Sequence, residues 1–303
     1  MLDCAGLFKA EGKMRTQNPG WKSRKGLYRV LGLVVIVGVL VLVGRGGWRS
    51  LLVKTEAGAR VVPEYALADI GPVLEKTKKS ALTKEEYKLL YEQTGMGPGG
   101  VDGLVKEGRQ QALLELQKNL FAEMPVVCTP NTIITREERT ESKALIPYVE
   151  EGDILVTFNC HAYMWRNGHA AIVADAEKRL VVESGQLGTE SGIVSLEHWE
   201  TYPAFAVLRL KKADGEERAA VGEYAAQKLV EIPYRLEAQK SGLQWGTHCA
   251  HLTWYGYKYY GYDLDSDGGW IVTPKDIFDS ELLEIVQIYG MDMPDFEEIY
   301  KEN

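Results

Sequence analysis

Short apolar runs recur through the second half of the chain and predict β-strands. They are rich in β-branched and aromatic residues, and polar or glycine-containing turns separate them. Five stretches have this form: GDILVTFN (152–159), HAAIV (169–173), RLVVE (179–183), FAVLRL (205–210) and LLEIVQIYG (282–290). The polar stretch ADAEK joins the second run to the third, and this pairing predicts a hairpin.

Four other stretches have the 3.6-residue apolar spacing of helices, at 82–95, 101–124, 216–232 and 249–260. In the first, Thr83 and Glu86 have the spacing of a capping box, and Gly95 follows as a stop signal. Short strands mixed with few helices predict an α+β domain at 147–303, with packed helices on an antiparallel sheet. The segment at 45–146 is predicted to be a helical spacer region.

The most apolar stretch is LYRVLGLVVIVGVLVLVG at residues 27–44, and it follows a cluster of basic residues at 22–29. A run of this length predicts a transmembrane helix, and basic residues ahead of it predict a cytoplasmic tail at 1–26. We therefore expect a single-pass anchor in the cell membrane, with 45–303 extracytoplasmic. A cleaved signal peptide is the alternative, but the A-x-A stretch at 57–59 lies far beyond the apolar run.

Charge and cysteine content exclude several classes of protein. The 303-residue chain has a net charge of −8, and a basic tail on an acidic body argues against nucleic-acid binding. The cysteines Cys4, Cys128, Cys160 and Cys249 form no CxxC pair, so neither a zinc ribbon nor a dense disulfide scaffold is predicted. Spacing leaves a Cys128–Cys160 disulfide open. We expect no metal and no other cofactor.

Cys249 is the candidate nucleophile because it follows Gly246 and Thr247 at a predicted helix start. A helix N-terminus lowers the pKa of a thiol and so favours the reactive thiolate. Three tryptophans lie near the motifs of this region and are predicted to line a substrate cleft: Trp165, Trp245 and Trp254.

His169 is the candidate base, although His248 and His251 lie nearer to Cys249 in sequence. Near neighbours on a helix point to different sides, whereas a strand residue facing the helix tip can reach the thiol. A hairpin turn centred on Ala176 would place His169 directly opposite Glu183, which could orient the imidazole. A slip of one residue would place Val182 there instead.

Taken together, the motifs EGDILVTFN, NGHAAIVADAEKRLVVESG and THCAHLTWYGYKYYGYDLD resemble the NlpC-type papain-like cysteine hydrolases, in their circularly permuted YiiX/YebB-like branch. The resemblance covers about 147–290. It implies a papain-like fold with Cys249 as nucleophile, His169 as base and Glu183 as orienting acid. It departs from the family at HCAH (248–251), where many relatives carry small hydroxyl residues after the cysteine.

The resemblance implies a cysteine peptidase or amidase that cleaves a cell-wall peptide through an acyl-enzyme on Cys249. Two alternatives stay open: an acyl bond in a lipid as substrate, or a catalytically silent binding module at the cell surface.

Two metal hypotheses also arise from the sequence. The stretch DLDSDGG at 263–269 has the opening spacing of a calcium loop, but Pro274 occupies the twelfth position and excludes an EF-hand. Cys160 and His161 with His169, or Cys249 with His251, contain zinc-ligand residue types, but they lack a compact ligand pair.

Overall fold

The computed structural model describes residue 28 and residues 31–41, 61–130, 134–140, 143–162, 165–240 and 242–300. The chain divides into two compact units, Met1–Trp48 and Arg49–Asn303. Residues 31–41 of the first unit are helical. The labelled elements below all belong to the second unit.

The predicted transmembrane helix at 27–44 is wrong. Among the residues that the structure describes, no helix combines the length and the apolar character that a membrane crossing requires. The same finding contradicts the expected single-pass location in the cell membrane, with membrane contact through 27–44.

The second unit is α+β, and its sheets are antiparallel, as predicted. Its helices are α1 (Gly71–Thr77), α2 (Lys84–Thr94), α3 (Pro98–Lys106), α4 (Ala112–Phe121), α5 (Gly215–Lys228), α6 (Cys249–Tyr259), α7 (Pro274–Phe278) and α8 (Phe296–Ile299). Its strands are β1 (Val126–Pro130), β2 (Ile134–Arg139), β3 (Ile154–Thr157), β4 (Cys160–Ala162), β5 (Trp165–Arg166), β6 (His169–Asp175), β7 (Leu180–Glu183), β8 (Gly192–Ser195), β9 (Phe205–Leu210) and β10 (Leu283–Tyr289). Two 3₁₀ turns, Leu196–Thr201 and Leu243–Trp245, connect elements near the candidate site.

The ten strands form two sheets. The larger has the order β10-β9-β3-β6-β7-β8, and the smaller has the order β1-β2-β4-β5. In the larger sheet Thr157 of β3 pairs with His169 of β6, which places the start of β6 at one end of the sheet. Each of the five predicted strands is present.

The larger sheet has an apolar core on each face because its central strands are buried on both sides. One core combines helices α1–α4 with alternate sheet residues such as Leu155, Ala171 and Val207. The other combines helices α5 and α6 with the intervening residues, such as Val156 and Ile172. This alternation is the period of two that strands impose, so the sheet is a middle layer between helices.

Helix α6 lies close to the sheet at Gly256. A Cβ atom at this position would be 3.0 Å from the Ile172 side chain and 3.1 Å from that of Leu229. Both distances are shorter than ordinary carbon contacts, so a larger residue would push the helix outward. The absence of a side chain at Gly256 therefore lets this face of α6 approach strand β6 closely.

Candidate active site

Cys249 is the first residue of α6, and its side chain is buried. His248 precedes it as N-cap in extended conformation, and its Nδ1 accepts a hydrogen bond from the His251 backbone N–H at 3.3 Å. Because the first N–H groups of a helix lack intrahelical partners, their positive ends surround the sulfur. The sequence therefore places the thiol where a negative charge is stabilised.

His169 is the first residue of β6, and its Nε2 lies 2.9 Å from Glu183 Oε2. The predicted direct pairing is not observed. Ile172 pairs with Val182 and Val173 with Val181, so continuing this register places Ala171, not His169, opposite Glu183. A displacement of two residues preserves the face on which a side chain lies, and His169 and Glu183 meet as diagonal neighbours.

His169 lines the same small cavity as the Cys249 sulfur. Burial by itself raises the pKa of the thiol, but hydrogen bonding and charge from His169 and His248 outweigh it and lower the pKa well below that of a free cysteine. Since Nε2 of His169 faces Glu183, its Nδ1 is the atom available to the sulfur. The arrangement favours a thiolate beside an imidazolium.

Glu183 holds His169 in its charged form. Burial alone lowers the pKa of the imidazole, but the Glu183 carboxylate and the Cys249 sulfur raise it above its ordinary value. Burial likewise raises the pKa of Glu183, and the charge of His169, with hydrogen bonds from His169 and His198, lowers it strongly. The carboxylate therefore stays ionised and orients the ring, as an acid does in a catalytic triad.

Sequence reasoning missed His198 and Trp199, which contact Glu183 from the turn Leu196–Thr201. His198 Nε2 lies 3.1 Å from Glu183 Oε2, and Trp199 Nε1 donates to the same oxygen at 3.2 Å. The Trp199 ring also stacks on His169, with centroids 5.2 Å apart and planes 12° from parallel. Trp199 thus shields the His169–Glu183 bond from water. The only sequence signal was an adjacent His-Trp pair outside any predicted strand.

The two histidines that flank Cys249 have structural partners. His248 Nε2 lies 3.2 Å from the Ala238 carbonyl, and its other nitrogen caps the helix. His251 Nδ1 lies 3.0 Å from Thr247 Oγ1, and its ring stacks near Trp254. His251 is therefore directed away from the sulfur, whereas His248 contacts it and is the nearest rival to His169.

The structure separates the three tryptophans predicted to line a cleft. Trp165 lies in β5, and its side chain is outside the described part of the chain. Trp245 is 78% exposed in the 3₁₀ turn before α6, next to Gly246. Trp254 is buried in α6, and its Nε1 donates to Asp263 at 2.7 Å. Of the two described side chains, only Trp245 is open to a ligand.

A cavity of about 10 Å³ adjoins the thiol, which is room for about one water-sized oxygen atom. Its lining brings together residues from six segments: Arg136, Cys160, Asn167, Gly168, His169, Gly185, Tyr234 and Cys249. Arg136 lies on β2, so the region before residue 147 contributes to the site. A polar cavity of this size beside a nucleophile suits a single oxygen with developing negative charge.

The structure describes two further cysteines, Cys128 and Cys160. Neither Cys128 nor Cys160 is in a disulfide, so the pairing that the sequence left open is not formed. The Cys160 sulfur contacts the Tyr202 hydroxyl at 3.3 Å, and burial raises the pKa of its thiol to about 12. Cys160 is therefore an inert neighbour of the reactive thiol at neutral pH.

One group of residues at the site has the composition of a metal centre. His169, Glu183 and His198 each offer a ligand atom, and these atoms lie within 4.8 Å of one another. Two imidazoles and a carboxylate are a common zinc ligand set. It differs from the two cysteine-containing sets considered from the sequence.

Comparison with known proteins gives little beyond a distant structural likeness. No family model matches the chain, and no curated protein matches it. The crystal structure of the metalloprotein YiiX from Escherichia coli O157:H7 is similar with a TM-score of 0.39 and 15% sequence identity. The match covers 47% of this chain and 98% of that one. A likeness at this level says nothing about catalytic residues, so the proposals below rest on the side chains of this chain.

Proposed function

We propose that this protein is a cysteine hydrolase with Cys249 as nucleophile, His169 as base and Glu183 as orienting acid. The observation that carries the proposal is that His169 lines one small cavity with Cys249 and lies 2.9 Å from the Glu183 carboxylate. A nucleophile, a base and a group that orients the base are the minimum for covalent catalysis by a thiol.

In the proposed reaction the Cys249 sulfur attacks the carbonyl carbon of the substrate. The carbonyl oxygen becomes an oxyanion, and the Cys249 backbone N–H at the helix start is one donor to it. His169 gives its proton to the leaving group, which departs and leaves an acyl-enzyme. His169 then takes a proton from water, and the hydroxide attacks the acyl carbon. The C–S bond breaks, the carboxylic acid product leaves, and the Cys249 thiolate is restored beside protonated His169.

The proposed substrate is an amide bond in a cell-wall peptide, and this part of the proposal rests on the family resemblance in the sequence. A lipid acyl group is the alternative on the same site, because an acyl-enzyme can form from an ester as well as from an amide. A catalytically silent binding module is the other alternative. Hydrolysis of peptide amides and of acyl esters by purified protein, measured side by side, separates the three.

Selective alkylation tests the thiol. Because its pKa is lowered, Cys249 stays thiolate as the pH falls, and we expect its iodoacetamide rate to change less than about threefold from pH 8 to pH 6. An ordinary thiol with a pKa of ~8.5 loses roughly 70-fold over this interval. The measurement is peptide-resolved mass spectrometry of Cys249, with Cys160 as the internal comparison.

The matched control for alkylation is His169→Ala, which removes the imidazolium and should restore an ordinary pH dependence at Cys249. A wild-type Cys249 that loses its reactivity as steeply as a free thiol would contradict the proposed thiolate. Labelling of the His169→Ala variant that matches wild type would assign the effect to His248 instead.

A metal-dependent hydrolase is the second candidate, because His169, Glu183 and His198 present three ligand atoms close together. Phenanthroline, which removes zinc but not calcium, distinguishes the two. For a thiol hydrolase we expect activity within about twofold of untreated protein after dialysis against this chelator. A loss of activity that added zinc restores would favour the metal-dependent reaction.

A further inference from the structure

The loop that follows the catalytic helix contains three acidic residues that the proposed reaction does not use, and a fourth lies in the helix after it. Its sequence DLDSDGG has aspartates at alternate positions and then Gly268, whose φ of 72° lies in the left-handed region. This is the opening of a calcium loop, but the EF-hand continuation is missing. The question is which of these carboxylates the fold brings together.

The structure selects a different set of ligands from the one that the motif suggests. Asp263, the first aspartate of the motif, is already engaged: its Oδ1 accepts from Trp254 at 2.7 Å and its Oδ2 from Lys258 at 2.6 Å. In its place, Asp276 from the first turn of α7 joins Asp265 and Asp267. One carboxylate oxygen from each of these three lies within 4.8 Å of the others.

The Asp265 carboxylate points to a missing partner. Its side chain is only 4% exposed, and its Oδ2 forms an ion pair with Lys240. Its Oδ1 is buried and has no hydrogen-bond partner. A buried carboxylate oxygen without a partner costs about 1–3 kcal/mol or more, so such atoms are rare in folded proteins. A bound cation would satisfy this oxygen.

The other two carboxylates are held in place by one oxygen each. Asp267 Oδ1 accepts from the Gly269 backbone N–H at 2.6 Å. Asp276 Oδ2 accepts from the Thr273 backbone N–H and hydroxyl, both at 2.7 Å. These bonds fix each carboxylate while leaving its second oxygen for a ligand. The site is thus ordered by its own chain rather than by a cation.

We propose that Asp265, Asp267 and Asp276 bind one Ca²⁺ ion. Three carboxylates beside a single ammonium group leave a local charge of −2, which one divalent cation neutralises. The ligands are all oxygen atoms, which favours a hard cation over zinc. Calcium tolerates irregular geometry and completes its shell with carbonyl oxygens and water, whereas Mg²⁺ demands a near-ideal octahedron. The ion would join the loop after α6 to the start of α7.

The test is calcium titration of the full chain after chelator treatment, followed by calorimetry and by thermal unfolding. We expect one site per chain and a rise in Tm of about 5 °C at saturating Ca²⁺. The same concentration of Mg²⁺ should give less than half of this rise. Equal ionic strength of NaCl should give none, since the −8 chain also attracts cations diffusely.

Two matched variants decide the assignment. Asp267→Asn keeps the turn to Gly269 but removes a charged ligand, so it should abolish the calcium response. Asp263→Asn lowers the starting Tm, because it weakens the contacts to Trp254 and Lys258, but should keep the response. No calcium response in wild type up to about 10 mM would overturn the proposal. So would loss of the response in Asp263→Asn with retention in Asp267→Asn, or an equal loss in both.

Discussion

Replacing Cys249 by alanine is expected to lower kcat/KM by about 10⁴-fold or more. The remaining rate is that of substrate that binds at the site and reacts without a nucleophile. In hydrolases of this kind the nucleophile and its base act as one unit, so removing either costs nearly as much as removing both. His169→Ala should therefore fall to the same level. The measurement is hydrolysis of one responsive substrate, with folding checked by circular dichroism.

The flanking histidines are the matched controls for this prediction. His251→Asn should change activity little, because its ring contacts Thr247 and Trp254 rather than the thiol. His248→Asn keeps a good N-cap residue and should retain most of the activity. The activity of Glu183→Gln should lie between that of wild type and that of His169→Ala. The substitution disturbs the orientation of the His169 ring but leaves the proton acceptor in place. An inactive His248→Asn beside an active His169→Ala would show that the base is His248.

Replacing Asp153 by alanine is expected to lower the free energy of unfolding by about 3–5 kcal/mol. Arg209 donates to Asp153 through Nε and Nη2, both at 2.7 Å, and both side chains are buried. Without the carboxylate, the Arg209 guanidinium keeps only Glu150 as an anionic partner and loses most of its compensation for burial. Urea unfolding followed by tryptophan fluorescence measures the change.

An exposed ion pair provides the comparison for this second prediction. Asp279→Ala breaks a pair with Lys275 on the surface of α7 and should change stability by at most about 1 kcal/mol. If Asp153→Ala lowers the free energy of unfolding no more than Asp279→Ala does, the buried pair does not hold strands β3 and β9 together. The pair also gives a physical role to Gly152 and Asp153 at the start of GDILVTFN, where Gly152 has a φ of 80°.

The strands could be predicted from the sequence because each is short, apolar and bounded by turn residues. The stretch FAVLRL at 205–210 matches strand β9 residue for residue. The predicted capping box at Thr83 is also present at the start of α2. At these positions the local sequence preference and the tertiary packing favour the same structure.

The hairpin register could not be predicted because the turn is centred between residues 177 and 178 rather than on Ala176, and a bulge lies between Val173 and Asp175. The bulge shifts the pairs beyond it by one residue, and together the two effects leave a displacement of two residues at Glu183. The contact between His169 and Glu183 was nevertheless predicted, because the error was an even number of residues. An odd error would have placed the two side chains on opposite faces.

The contributions of His198 and Arg136 could not be predicted, since both depend on contacts distant in sequence. His198 reaches Glu183 from a 3₁₀ turn, and Arg136 reaches the thiol cavity from the smaller sheet. Trp254 shows the converse problem: it lies near Cys249 in sequence but is turned into the core. At 27–44, composition predicted a membrane helix, and no helix among the described residues is long and apolar enough to be one.

The packing of helices α1–α4 against the larger sheet limits how this chain can be divided. Leu113, Leu116 and Leu120 of α4 are buried in the same core as Leu155 and Val207 of the sheet. A fragment starting at residue 147 would carry a bare apolar face, and it would also lack Arg136 at the thiol cavity. Truncations for crystallisation, and fusions that use the larger sheet with its candidate site, should therefore keep the chain from before α1 onward. The segment predicted to be a spacer therefore supplies the helices that cover one face of the larger sheet.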